Sequence, residues 1–292
     1  MTEINTNSKI LNWYPGHMTK AVRSMKEELK LIDLIIELID ARVPLSSRNP
    51  ELDSLSRGKA RFLLMTKTDL ADPQATAAWR SFFNSKGLTV LCTDARSGKD
   101  RAAVEESIRA ALREKTERDR ARGILNRPLR VLIAGIPNVG KSTLINSLAK
   151  KTAAKTGDRP GVTKGNQWIN IGRGIELLDT PGILWPKFED PMVGVRLALI
   201  GSINDNIIDP QELACDGIAF LTAAYPGSIE ARYGAAESGM SYEVLEDIAR
   251  RRNLLKAGAA PDTERAARLF LDDLRSSRIG RFTFELPEPE TP

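Results

Sequence analysis

Apolar residues recur along this chain as short runs separated by longer polar stretches. Runs at 34–38, 61–65, 88–91, 130–134, 167–170 and 175–178 are rich in Leu, Ile and Val. Several lack polar alternation, as expected of strands buried on both faces of a sheet. Between them the spacing predicts helices over 18–31, 74–85, 100–122 and 139–150. The second half of 100–122, REKTERDRAR, is so charged that it must face solvent. Strands alternating with helices argue an α/β architecture with a mostly parallel sheet and helices on both faces.

Past Trp185 the pattern changes to mainly helices, with two clear ones near 242–255 and 263–276. Val244, Leu245 and Ile248 share one helix face, and Ala267, Phe270, Leu271 and Leu274 share another. The intervening GAAPDTE reads as a helix end and a new start, capped by Asp262 or Thr263. The expected division is a domain over 1–185 and a small all-α domain over 186–292.

Composition narrows the class. Of 292 residues, 41% are hydrophobic and 28% charged, ordinary for a globular protein. No stretch approaches the roughly 18 apolar residues of a membrane span. The start, MTEINTNSK, has no apolar signal region and no Arg-rich transit pattern, so a cytoplasmic location without membrane contact is expected. Cys92 and Cys215 give neither a disulfide framework nor metal spacing. The net charge of +5 fits a polyanionic partner or simply a solvated surface. From Arg250 to Arg281 there are nine Lys/Arg against four Asp/Glu. Arg250, Arg251, Arg252, Arg268, Arg275, Arg278 and Arg281 are therefore candidates for RNA phosphate contacts, with a solvated helix face as the alternative.

The chemistry lies in Gly135-Ile-Pro-Asn-Val-Gly-Lys-Ser142, which follows a buried run and precedes a helical one. This is a phosphate-binding loop in its required context. Gly135 and Gly140 let the backbone close on phosphate oxygens, and the helix start supplies N–H groups from Val139 to Thr143. Lys141 reaches the β- and γ-phosphates, and the Ser142 hydroxyl binds Mg²⁺. Asp179-Thr-Pro-Gly182 follows the run IELL. Asp179 is placed to hold Mg²⁺ through water, and Gly182 to offer its N–H to a γ-phosphate. Thr163, in the polar segment between these motifs, is a candidate to complete the Mg²⁺ shell.

Guanine is read by an N-K-x-D signature after a strand, and the nearest match is Thr66-Lys-Thr-Asp69. Asp69 accepts from guanine N1–H and the exocyclic amine, groups adenine lacks. Lys67 lays its stem along the ring. Thr66 replaces asparagine with a shorter hydroxyl that cannot bond at two ends like an amide, so guanine preference is expected to survive, weakened. Thr93-Asp94-Ala95 resembles the loop whose amides meet guanine O6. The base motifs precede the phosphate motifs, the reverse of an ordinary GTPase. The fold expected is a circularly permuted P-loop GTPase. The second domain then hangs directly from the switch at Gly182, a coupling hypothesis.

The permuted order, Trp13-Tyr-Pro-Gly-His-Met18, the GIPNVGKS loop and the tail Gly280-Arg-Phe-Thr-Phe-Glu285 together resemble the ribosome biogenesis GTPase A family over nearly the whole chain. The resemblance implies a cytoplasmic GTPase that binds GTP and GDP. It also implies docking on the large ribosomal subunit late in assembly, under nucleotide control, with hydrolysis stimulated by ribosomal RNA. Ile183 follows Gly182 where other GTPases place a glutamine. The family assigns the water-positioning role to the histidine of PGHM, here His17, the chain's only histidine. Packing of the N-terminal segment is the alternative. Asn138 matches the asparagine that ligates K⁺ in potassium-dependent relatives, or it braces the loop. A monomer is expected. The competing readings are a nucleotide-gated binding module without turnover of its own and a GTPase acting on another RNA or protein.

Overall fold

In a computed structural model of the chain, the described residues are 27–56, 58–93, 101–125, 127–149, 167–180, 182, 184–185 and 188–288. His17, Asp94, Ala95 and Thr163 lie outside them, as does most of the helix expected at 18–31.

Six strands form one sheet: β1 (Leu34–Asp40), β2 (Ala60–Thr66), β3 (Val90–Cys92), β4 (Leu129–Gly135), β5 (Gln167–Gly172) and β6 (Ile175–Asp179). Their order is β3-β2-β1-β4-β6-β5. All neighbours are parallel except the edge pair β5 and β6. Every apolar run singled out in the sequence becomes a strand. Every residue of β1 is buried, which explains why five of its seven side chains are Leu or Ile. Each such side chain removed from water contributes roughly 1.5–3 kcal/mol. Glu37 breaks the run on the central strand, and its buried carboxylate is held by Arg61 and by the Asn49 N–H at 3.0 Å. Counted from β4, the sheet reads 6-5-4-1-3-2. The two halves of the circle are joined through residues 94–128.

The helices are α1 (Pro50–Leu55), α2 (Pro73–Ser85), α3 (Arg101–Ala111), α4 (Arg113–Ala121), α5 (Lys141–Ala149), α6 (Pro191–Leu199), α7 (Pro210–Ala224), α8 (Ser228–Tyr233), α9 (Ser241–Arg251) and α10 (Thr263–Arg275). The single helix expected at 100–122 is two. The break falls at Leu112, which is buried, while α4 buries none of its own residues. The helix expected to reach 255 stops at Arg251, because Asn253 turns left-handed (φ 53°) and Leu255 bridges to Pro261. Asp262 caps α10 by accepting from the Arg265 N–H at 3.2 Å. Four helices open on one device. Asn49, Asp72, Asp190 and Asp209 each cap a helix whose first residue is proline. Proline lacks the N–H that would go unpaired there, and the Asx side chain satisfies the next one, a cap contributing about 1 kcal/mol.

The described residues divide into two compact units. One holds those up to Trp185 and again those from Glu285 to 288; the other holds those from Phe188 to Phe284. The second is all helical. Its core joins α7, α9 and α10 around Phe270, which is fully buried. Gly217 lets α7 approach closely, since a Cβ there would meet the Phe270 ring at 3.0 Å. Among the described residues no helix is long and apolar enough to cross a membrane.

Candidate nucleotide site

The phosphate loop leaves the C-terminal end of β4, between β1 and β6, and enters α5 at Lys141. Close backbone approach dictates its glycine. A Cβ on Gly135 would lie 2.7 Å from the Leu38 carbonyl oxygen. Gly140 (φ 103°) and Asn138 (φ 57°) bend the loop through left-handed backbone. Val139 is fully buried, and Ser142 and Thr143 sit partly exposed in the first turn of α5. Lys141 is buried, and its Nζ donates to the loop's own carbonyls, Gly135 at 3.1 Å and Ile136 at 2.7 Å. Burial pulls its pKa down to about 8 against the attraction of Asp179.

Asp179 ends β6. Burial pushes its pKa up to about 6, opposed by Lys141. Its Oδ1 is buried and has no hydrogen-bond partner among the described residues. A desolvated, unpaired carboxylate oxygen beside a phosphate loop is costly unless a cation or its water completes it, so these residues fit Mg²⁺. The neighbouring Thr180 hydroxyl is used structurally, donating to the Ile133 carbonyl at 3.0 Å. Gly182 rests against the loop: a Cβ there would stand 2.7 Å from the Pro137 N and Cα and 3.0 Å from the Lys141 Nζ. The structure thus brings Lys141, Asp179 and Gly182 together.

The base motif lies at the end of β2. Thr66 is fully buried, and its hydroxyl donates to the Val139 carbonyl at 2.6 Å, with the Ile39 carbonyl at 3.2 Å. It braces the phosphate loop from the end of β2. Lys67 has left-handed backbone (φ 57°), and its Nζ lies 3.1 Å from Asp40 Oδ2. Asp69 is exposed with no partner among the described residues, leaving its carboxylate open to a base. Thr93 is buried beyond β3, its N–H donating to the Met65 carbonyl at 2.9 Å.

Asp40 was not read from the sequence as a site residue. It is fully buried. Despite that burial, Arg42 and Lys67 hold its carboxyl well below the usual carboxylate range. Arg42 grips it with its backbone N–H (3.0 Å), Nε (2.9 Å) and Nη2 (2.8 Å). The signal was an acid inside an apolar run, but its partner Lys67 is set by strand register, which pairs Asp40 with Thr66.

The candidate RNA arginines are engaged within the helical unit. Arg250, Arg251 and Arg268 pair with Glu246, Asp247 and Glu264 one turn away, contacts of about 0.5 kcal/mol that phosphate can replace. Arg252 donates to the Arg232 carbonyl at 2.6 Å and covers the Tyr233 ring. Arg278 pairs with the buried Asp273 at 3.0 Å. Arg275 is different. It donates to the Ala198 and Leu199 carbonyls and to both Asp205 carboxylate oxygens. It ties α10 to the end of α6.

Comparison with known proteins agrees with this geometry. The family described as 50S ribosome-binding GTPase matches residues 130–227. A ribosome biogenesis GTPase A from Priestia megaterium is 47% identical over 97% of this chain and 99% of its own. The Thermotoga maritima protein of that name is 38% identical over 97% of both. A GNP-bound structure of YlqF from T. maritima covers 92% of this chain and 99% of its own at 33% identity, with a TM-score of 0.62. A GDP-bound YlqF structure gives 0.66 at 31% identity, covering 91% of this chain and 99% of its own. The order of motifs, the sheet they stand on and full-length identity lead to one conclusion: this chain is a GTPase of the ribosome biogenesis GTPase A family.

Proposed function

We propose that this GTPase acts on the large ribosomal subunit late in its maturation, docking with GTP bound and leaving once GTP is hydrolysed. The observation that carries the nucleotide half is the convergence of Lys141, the unpaired Asp179 Oδ1 and Gly182 at one loop. The subunit half rests on full-length similarity to proteins named for ribosome biogenesis and on the description of the matching family.

In this reading Lys141 leaves the Gly135 and Ile136 carbonyls for phosphate oxygens, so loop closure and phosphate binding are alternatives. The Ser142 hydroxyl, Asp179 and Thr163 would hold Mg²⁺, which would supply positive charge against the phosphates. Asn138 ligates K⁺ beside them. Asp69 accepts from the guanine edge, with Lys67 along its face and Thr93, Asp94 and Ala95 beside O6. Ile183 supplies no polar group, so His17 positions the attacking water. Gly182 senses the γ-phosphate, and the helical unit begins within a few residues of it.

Co-sedimentation with separated ribosomal subunits tests the partner. The chain should pellet with large subunits in a non-hydrolysable GTP analogue and stay free in GDP. Pelleting with small subunits alone, or equally in both nucleotides, would refute the assignment.

A further inference from the structure

Glu285 stands where the chain re-enters the first unit after the helical one. Its carboxylate is buried and accepts three hydrogen bonds from the turn after β1: the Leu45 N–H at 2.6 Å, the Ser46 N–H at 2.8 Å and the Ser46 hydroxyl at 2.5 Å. Its backbone carbonyl accepts from the indole N–H of Trp79, a fully buried residue of α2, at 2.8 Å. The next residue in the turn, Ser47, takes the Asp40 N–H on its hydroxyl at 2.9 Å and donates to the Pro44 carbonyl at 3.4 Å. Asp40 in turn holds Lys67 at 3.1 Å. Polar contacts, joined through the backbone from Ser46 to Ser47 and through Asp40 from its N–H to its carboxylate, therefore run from Glu285 by way of the 44–47 turn to Lys67. Ser46, Ser47 and Asp40 are all buried, where such contacts are strong and directional.

Anchoring the returning chain does not by itself require a carboxylate. An apolar side chain could do it, as Phe282 and Phe284 hold the preceding residues against Tyr225 and Phe220 of the helical unit. A charged acceptor turned onto two backbone N–H groups and a hydroxyl does something an apolar anchor cannot: it fixes the orientation of the turn.

We propose that Glu285 is a positioning residue for the guanine base. It orients the 44–47 turn, the turn orients Asp40, and Asp40 holds Lys67 in its left-handed conformation with its stem along the ring. This rests on the assignment of 66–69 as the base site. The chain returning from the helical unit thereby ends on a contact that sets base affinity, at a place separate from the switch at Gly182.

Calorimetric titration of the full chain with GDP and with inorganic tripolyphosphate separates base from phosphate effects. Glu285→Ala should raise the Kd for GDP about tenfold, the effect of losing a charge-assisted contact. Its Kd for tripolyphosphate should stay within about twofold of wild type, since the phosphate loop is untouched. Glu285→Gln, which keeps shape and one acceptor, guards against simple unfolding and should show a smaller shift in the same direction. Asp40→Asn should reproduce the GDP effect, and the double variant should add nothing further. Equal weakening of both ligands, an unchanged GDP affinity or additive effects would overturn the relay. A wild-type chain indifferent to guanine against adenine would remove the base site itself, and the relay with it.

Discussion

Thr66 is fully buried at the end of β2. A hydroxyl in place of asparagine suggested weakened base recognition. Folded, its single donor is committed to the Val139 carbonyl, 73 positions along the chain. Thr66→Val keeps the shape and removes that donor, leaving a buried carbonyl underbonded, a loss of about 1–3 kcal/mol. GDP and tripolyphosphate affinity should therefore fall together, and a loss confined to GDP in titrations would contradict the brace. Lys141 gives a pH prediction. With its pKa pulled by burial down to about 8 from an ordinary 10.5, the side chain is mostly protonated at pH 7 and mostly neutral at pH 9. Phosphate favours the charged form, so GDP binding at pH 9 must take up a proton that binding at pH 7 does not, and affinity falls as pH rises through 8. Calorimetry in buffers of different ionisation enthalpy measures the uptake; none at pH 9 would contradict the buried lysine.

At the scale of elements, the inner strands were legible because burial on both faces leaves a plain apolar run, while β5, at the edge, buries only alternate residues. The phosphate loop was legible because its spacing is local. The break in the helix at 100–122 was not, since it turns on where Leu112 finds its core. α6, α7 and α8 were not assigned individually, although the Asp-Pro pairs at 190–191 and 209–210 marked two of their starts. Pairings between distant elements were invisible. Glu285 meets Ser46 across 239 positions, and no local pattern announces it. The strand-to-loop junction at Gly182 makes an element-scale prediction. A Cβ there would press on the Pro137 backbone, which unlike a flexible side chain cannot swing away. Gly182→Ala should therefore uncouple the γ-phosphate from the segment that follows. GDP affinity should stay near normal while the excess affinity for a GTP analogue disappears, both measured by equilibrium titration.

Over the whole molecule, charge is distributed unevenly. Residues 187–284 carry 12 Lys/Arg and 15 Asp/Glu, leaving 31 and 23 for the rest of the chain. The basic bias between Arg250 and Arg281 is thus local to a unit that is acidic as a whole. On α4 and the turn after it, Arg118, Arg120 and Arg122 are exposed with no ion-pair partner among the described residues, unlike the tail arginines. Neutralising these three to Gln should therefore weaken large-subunit association and flatten its salt dependence, by about one unit of log–log slope for each RNA phosphate no longer neutralised. The same change at Arg250, Arg251 and Arg268 should do less; the reverse ranking in salt-titrated sedimentation would return the RNA-binding role to the helical unit.

The permuted nucleotide site and the ribosomal partner meet in one activity, so one measurement addresses both. GTP turnover is followed in potassium buffer with no subunits, with purified large subunits and with small subunits as control. Strong stimulation by large subunits alone is the predicted result. Tight GTP binding with no stimulation by either, or equal stimulation by small subunits, would contradict it.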